Sequence, residues 1–233
     1  MKQCFKLFMI FVFAILLLQC GPDYQTNKRV LIKGQLQNHE GEPIGNIDVS
    51  AFTLTEDYLQ GNQQNGYLLG RNQSQVDGSI AVVCLIDVES DFFIRVKGGD
   101  DFIDYSYVFK TDLSDPENLV VDMGNIILQK RAEVTFNLTR TSSMDSSIEY
   151  IVSYQNTICY EVYGDDNLIA EESSCYEQLT LSNTLEGSTA NFTNVFNSIL
   201  GANFTLTYSI NNEPEITETF SINQPNSGYE FTY

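Results

Sequence analysis

Tryptophan is absent from this chain, histidine occurs once, as His39, and 12 Lys and Arg stand against 31 Asp and Glu. Each shortage excludes something. With so few cations the surface repels phosphate backbones, because nucleic-acid affinity rests on Lys and Arg replacing condensed counterions; nucleic acid is excluded as a partner. The same imbalance argues against docking onto anionic lipid headgroups. One imidazole leaves no second histidine to share a metal, and no base of the usual kind for a serine or cysteine triad away from His39. His39 followed by Glu40 reads as a turn pair. Without tryptophan, sugar stacking would fall to tyrosines, with Tyr58, Tyr67, Tyr105 and Tyr107 as candidates. Aromatics on strands are more often core or cross-strand partners. Prolines number five, and no glycine loop of the phosphate-cradling kind occurs.

The residues that are present point to strands. Thirteen tyrosines and 15 phenylalanines accompany plentiful Val, Ile, Thr and Leu. These residues bury enough apolar surface to offset chain entropy, so the acidity does not signal disorder. No long segment shows helical periodicity. The expected class is all-β, with two β-sandwich domains in tandem.

The N-terminal segment is read separately. Lys2 and Lys6 precede the unbroken apolar run Leu7–Leu18, and Leu17-Leu18-Gln19-Cys20-Gly21 follows. As a helix this run reaches about 18 Å, whereas a membrane span needs roughly 20 residues. Its length suits the apolar core of a signal peptide. The segment resembles the signal of bacterial lipoproteins, in which the cysteine becomes the lipidated first residue of the mature chain. Gln19 departs from the small residue usual at its position. The resemblance implies a signal over residues 1–19, lipidation at Cys20, a tether over 20–27, and a permanent membrane attachment, since more than one acyl chain holds a protein stably. Cys4 would leave with the signal. Loss of Lys2 and Lys6 makes the formal charge of −19 two units more negative.

Residues 28–130 make the first expected domain. Val30, Ile32 and Leu36 alternate onto one face, Ile47, Val49 and Ala51 alternate again, and Asp77-Gly78 marks a tight turn before the apolar run Ser79–Ile86. Phe92–Val96, Tyr105–Phe109 and Leu119–Leu128 add strand candidates. The run from Val30 through Gly34, Gly41-Glu42-Pro43-Ile44 and Ile47 to Val49, with Asp77-Gly78-Ser79-Ile80 and the closing Met123–Leu128, resembles carboxypeptidase-like regulatory domains. That resemblance implies a transthyretin-like, seven-stranded sandwich and no peptidase zinc ligands. The Gln-, Asn- and Gly-rich insert Thr55–Gly70 departs from the family and is expected as an extended loop or ragged hairpin.

Residues 131–233 make the second expected domain, of immunoglobulin-like or fibronectin-like type, with short strands from Val134, Ile148–Tyr154, Ile158–Tyr163, Tyr176–Leu181, Phe204–Ile210, Ile216–Ile222 and Tyr229–Tyr233. Cys159 and Cys175 flank the turn-like Gly164-Asp165-Asp166-Asn167. A disulfide closing that loop is one reading, worth about 3 kcal/mol in the chain-entropy account; two reduced, buried thiols are the other. Cys84, in an apolar strand, reads as a small buried hydrophobe. Asp100, Asp101 and Asp104 could gather around calcium, which takes six to eight oxygens, but their spacing is not that of a recognised calcium loop, and a solvated acidic turn is the favoured reading. No cofactor is expected.

Together these features lead to a non-enzymatic, lipid-anchored cell-envelope protein that binds or scaffolds a glycan or protein partner, at a bacterial outer membrane. A second expectation is an accessory subunit of a nutrient-uptake or surface assembly. A hydrolase is the remote third.

Overall fold

The computed structural model describes residues 29–53, 66–85, 91–110, 119–142, 146–164, 167–186 and 191–233. The leader, Cys20, Tyr58 and most of the Thr55–Gly70 insert lie outside them. Two β-sandwiches in tandem account for nearly all of the described chain; among the described residues the one helical element is a single 3-10 turn at Ala170–Glu172.

Among the described residues the first part of the chain gives the first sandwich seven strands in chain order: β1 (Val30–Gln37), β2 (Asp48–Thr53), β3 (Leu68–Gln73), β4 (Ser79–Cys84), β5 (Phe92–Lys97), β6 (Tyr105–Phe109) and β7 (Val120–Ile127). One sheet runs β4-β1-β7, with β7 parallel to β1; the other contains β3-β2-β5-β6. Alternation decides the inward face: Val30, Ile32 and Leu36 of β1 meet Val49 and Ala51 of β2 and Ile94 and Val96 of β5 in one core. Gly78, at φ +80°, closes the β3–β4 turn by donating its amide to the Gln75 carbonyl, while Asp77 caps the Ser79 amide. Leu68–Gly70, expected within the polar insert, belongs to β3 and pairs with β2. Only Leu69 of that stretch is buried, so the strand carried little apolar signal.

The second sandwich also takes seven strands: β8 (Arg131–Thr139), β9 (Ile148–Gln155), β13 (Gln178–Leu185), β14 (Asn191–Ile199), β15 (Asn203–Ile210), β16 (Ile216–Ser221) and β17 (Asn226–Thr232). Its sheets run β13-β9-β15-β16 and β14-β8-β17. Aromatics fill the gap between them: Phe204 packs on Phe136, Phe196, Phe220 and Tyr229, and Tyr208 packs on Phe231. Strand β14 has no counterpart among the expected strands. Its inward positions Phe192, Asn194, Phe196 and Ser198 mix apolar and polar residues, which blurred the alternation.

The strand Cys159–Gly164 (β10), expected in the second sandwich, lies in the first. It runs parallel to β6, with Tyr160 opposite Ser106 and Tyr163 opposite Phe109. The short strands β11 (Asn167–Leu168) and β12 (Ser174–Cys175) pair with β10 in turn. Strands β9 and β13 are antiparallel neighbours, Gln155 opposite Gln178. Residues 156–177 are therefore a long hairpin connection of one sandwich that supplies a strand to the other. The physical reason is an unpaired β6 edge with apolar residues on both faces, Tyr105–Phe109 being buried throughout.

Candidate functional site

Two features converge where the sandwiches meet: the strap 156–177 and the short connection from β7 to β8. The connection is held from both sides. Ile103 donates its amide to the Gln129 carbonyl, Arg131 to that of Asp101, and Leu200 to that of Lys130. One side of this joint opens into a cleft of about 620 Å³, lined by His39, Glu40, Lys130, Gln155, Tyr176 and Asn223. A second cleft of about 700 Å³ is lined by Asp100, Asp101, Arg131, Glu133 and Asn226.

The strap is attached through five kinds of contact. Its β10 ladder to β6 supplies backbone hydrogen bonds. Val162 joins Phe93 and Val108 in a small cluster roofed by Phe52, Tyr160 and Ile169; full burial of a valine contributes roughly 1.5–3 kcal/mol. The rings of Tyr107 and Tyr163 stack at 4.2 Å, and Lys110 reaches Glu172 at 2.6 Å. On the inward face, Glu161 accepts hydrogen bonds from the hydroxyls of Tyr105 (2.6 Å) and Tyr163 (2.9 Å). Burial and then the Glu161 carboxylate push the Tyr163 hydroxyl up to about 12, and the buried Tyr105 is raised further by the same causes. Tyr176, again chiefly through burial, is pushed up to about 12.

Cys159 and Cys175 sit opposite one another on β10 and β12 and form a disulfide. Cys84 is the free thiol among the described residues, and burial pushes it up to about 11. The described residues thus hold no exposed thiolate. His39 lies exposed in the turn after β1, where the Asn38 side chain and Glu42 bind one another's backbone and side-chain groups.

The three carboxylates weighed as calcium candidates, with a solvated acidic turn as the favoured reading, differ in their surroundings. The Asp104 carboxylate accepts from the Arg95 guanidinium at 2.9 Å and from the Gly98 amide at 3.0 Å, while Asp100 and Asp101 stand exposed in the turn. Both oxygens of Asp104 are thus engaged within the turn, one by a guanidinium and one by an amide. No group of three or more His, Cys, Asp or Glu side chains gathers for a metal among the described residues. Of the tyrosines considered for sugar stacking, Tyr105 and Tyr107 are core residues and Tyr67 is exposed. Glu161 and Tyr163 escaped sequence reading. The available signal was the β9–β13 connection, far longer than the usual hairpin loop of 2–5 residues and bracketed by two cysteines.

No family model matches the chain, and no curated protein matches it. Solved structures do. The 9R-lipoxygenase of Cyanothece PCC8801 matches over 51% of this chain and 20% of its own, at 15% identity and TM-score 0.27. The Bacillus anthracis TIE protein matches over 89% of this chain and 34% of its own, at 9% identity and TM-score 0.31. The shaft pilin SpaA of Lactobacillus rhamnosus GG matches over 88% and 97%, at 9% identity and TM-score 0.30. The chain therefore spans a fifth and a third of the first two. At such TM-scores no property of these proteins transfers to it.

Proposed function

We propose that the protein is a non-enzymatic component of the cell envelope, held at the membrane by lipid on Cys20 and presenting two joined β-sandwiches to a protein or glycan partner. The observation that carries the reading is the Cys159–Cys175 disulfide. Disulfides persist in exported proteins and are rare in the cytosol, and the lipoprotein-like leader Leu7–Cys20 independently calls for export. The non-enzymatic part is supported by the chemistry of the described residues: two thiols are oxidised, the third is buried, and the sole imidazole stands in an exposed turn. The joint between the sandwiches, with the two clefts lined in part by Lys130 and Leu200, is the surface assigned to the partner. The proposed domain limits follow the connection at Leu128–Lys130, with residues 156–177 assigned to both halves.

Fractionation of cells producing the full chain tests the anchor. The native chain should enter the membrane fraction and the detergent phase, and Cys20→Ala should leave both. Equal membrane retention of the two chains would refute lipidation at Cys20.

A further inference from the structure

Among the described residues the second sandwich is four strands over three, and the mismatch falls on β13. Aromatic pairs locate the facing strands: β14 covers β9 through Phe192 on Tyr150 and Phe196 on Tyr154, β8 covers β15 through Phe136 on Phe204, and β17 covers β15 and β16 through Tyr229 on Phe204 and Phe220. Among the described strands none is left to face β13 over Leu179–Asn183, whereas Leu185, farther along the same side, is buried in the core. Its register against β9 puts Leu179, Leu181 and Asn183 on the inward side, opposite Tyr154, Val152 and Tyr150, yet Leu179 is 43% exposed and Leu181 half-buried. Among the described strands its other edge has no partner, β13 pairing there with β9 alone.

Natural edge strands are blunted by charge, proline, bulges or brevity. Strand β13 shows none of these. It is eight residues long, Gln178-Leu-Thr-Leu-Ser-Asn-Thr-Leu185, regular in register and without a charged residue. In a chain of net charge −19, Glu186 is the one charged residue between Glu177 and Glu213. The remaining edges of this sandwich differ: β16 carries Glu218 and β17 carries Glu230, while β14, also uncharged, turns its aromatics onto β9.

We infer that β13 is a self-association edge, at which a second copy of this chain adds its own β13 antiparallel about a two-fold axis centred on Thr180. A second copy brings to the contact a strand that is itself uncharged. Two strongly acidic molecules repel, but at physiological salt that repulsion is screened beyond about 8 Å, so the groups at the contact decide. Centring on Thr180 sets Leu179 of each copy opposite Leu181 of the other, closing four leucines over the part of the face that no described strand covers. Glu177 then opposes Asn183, three residues and roughly 10 Å along the strand from Glu186 of the other copy. A two-fold strand pair of this kind is closed, so it ends at a dimer.

The test uses the full chain in detergent and is independent of the Cys20 anchor. Multi-angle light scattering at tens of micromolar should give a dimer. Leu179→Lys with Leu181→Lys, which brings four ammonium groups into one contact, should weaken it about a hundredfold, while Val195→Lys on the outer face of β14 should leave it intact. Thr180→Cys should cross-link to itself on oxidation, since opposed residues stand 4.5–5.5 Å apart in such pairs, and Thr184→Cys should not. A monomeric native chain, a dimer indifferent to the leucine substitutions, or a Thr184→Cys cross-link as strong as that of Thr180→Cys would each overturn the inference.

Discussion

Removing the strap's disulfide is the sharpest probe of how the two sandwiches are joined. Cys159 and Cys175 are separated by 16 positions, and closing a loop of that size restricts the unfolded chain by about 3 kcal/mol. Cys159→Ser with Cys175→Ser should lower stability by about that amount, and the loss should not be shared evenly. The residues freed are those that hold β10 on β6: Val162 in its cluster with Phe93 and Val108, the Glu161 hydrogen bonds to Tyr105 and Tyr163, and the Lys110–Glu172 pair. Each partner outside the strap belongs to the first sandwich. Each sandwich keeps its own core of buried residues without the strap, apart from the small contribution of Cys159 itself.

The double variant should therefore fold, show faster amide exchange at Tyr160–Tyr163 and Ser106–Phe109, and keep native protection in β9 and β15. Urea unfolding should separate into two transitions, or move further apart if two are already present. A stability loss below about 1 kcal/mol with unchanged exchange along β6 would refute the reasoning: the ladder and the Val162 cluster would then hold β10 without the covalent clamp. Collapse of protection throughout the second sandwich would refute it from the other side, since the strap would be part of that core.

Alkaline pH should act through Tyr105, Tyr163 and Tyr176. Their folded pKa values lie above the ordinary 10, so the stability they contribute is full below pH 10 and falls as pH rises through and beyond 12; absorbance titration should find these three still protonated where exposed tyrosines have ionised, and a single ordinary transition for every tyrosine would contradict the burial. Asp104→Ala should cost about 1.5–3 kcal/mol by stripping Arg95 and the Gly98 amide of a charged acceptor, and added calcium should leave the native melting temperature unchanged; a calcium-induced rise abolished by this variant would restore the metal reading. Gly78→Ala should destabilise by at least about 1–3 kcal/mol, because at φ +80° a new Cβ meets the Leu36 carbonyl oxygen as well; a neutral effect in thermal melts would mean that the turn rearranges freely.

Legibility followed the clarity of alternation. Strands with apolar residues at every second position, β1, β4, β8 and β15, were readable because one face meets a core and the other water. The turn at Asp77-Gly78 was readable because a positive φ demands glycine there. Strands β3 and β14 were not: in Leu68–Gln73 one residue is buried, and in Asn191–Ile199 Asn194 and Ser198 occupy inward positions. The acidic turn, read first as a solvated one, was legible in part: the partner of Asp104 is Arg95, nine residues back on β5, whose side chain reaches it only once the β5–β6 hairpin has formed.

The strap shows why strand content was easier to read than strand partnership. Cys159–Gly164 has the composition of a strand wherever it is placed, and chain order put it in the second sandwich. Its destination was decided by a vacancy elsewhere: β6 presents an edge whose neighbours Phe93 and Val108 on one face and Tyr105 and Tyr107 on the other need cover. An edge of that kind recruits whatever extended segment can supply backbone partners and side chains for both faces, and β10 supplies Val162 to one and Glu161 with Tyr163 to the other. The edge of β13 poses the same physical problem with nothing in the described chain to fill it. A protein that joins its own halves by adding a strand to an open edge retains, in Leu179 and Leu181, one further edge of the same type, and a second copy is the partner that meets it without bringing a carboxylate.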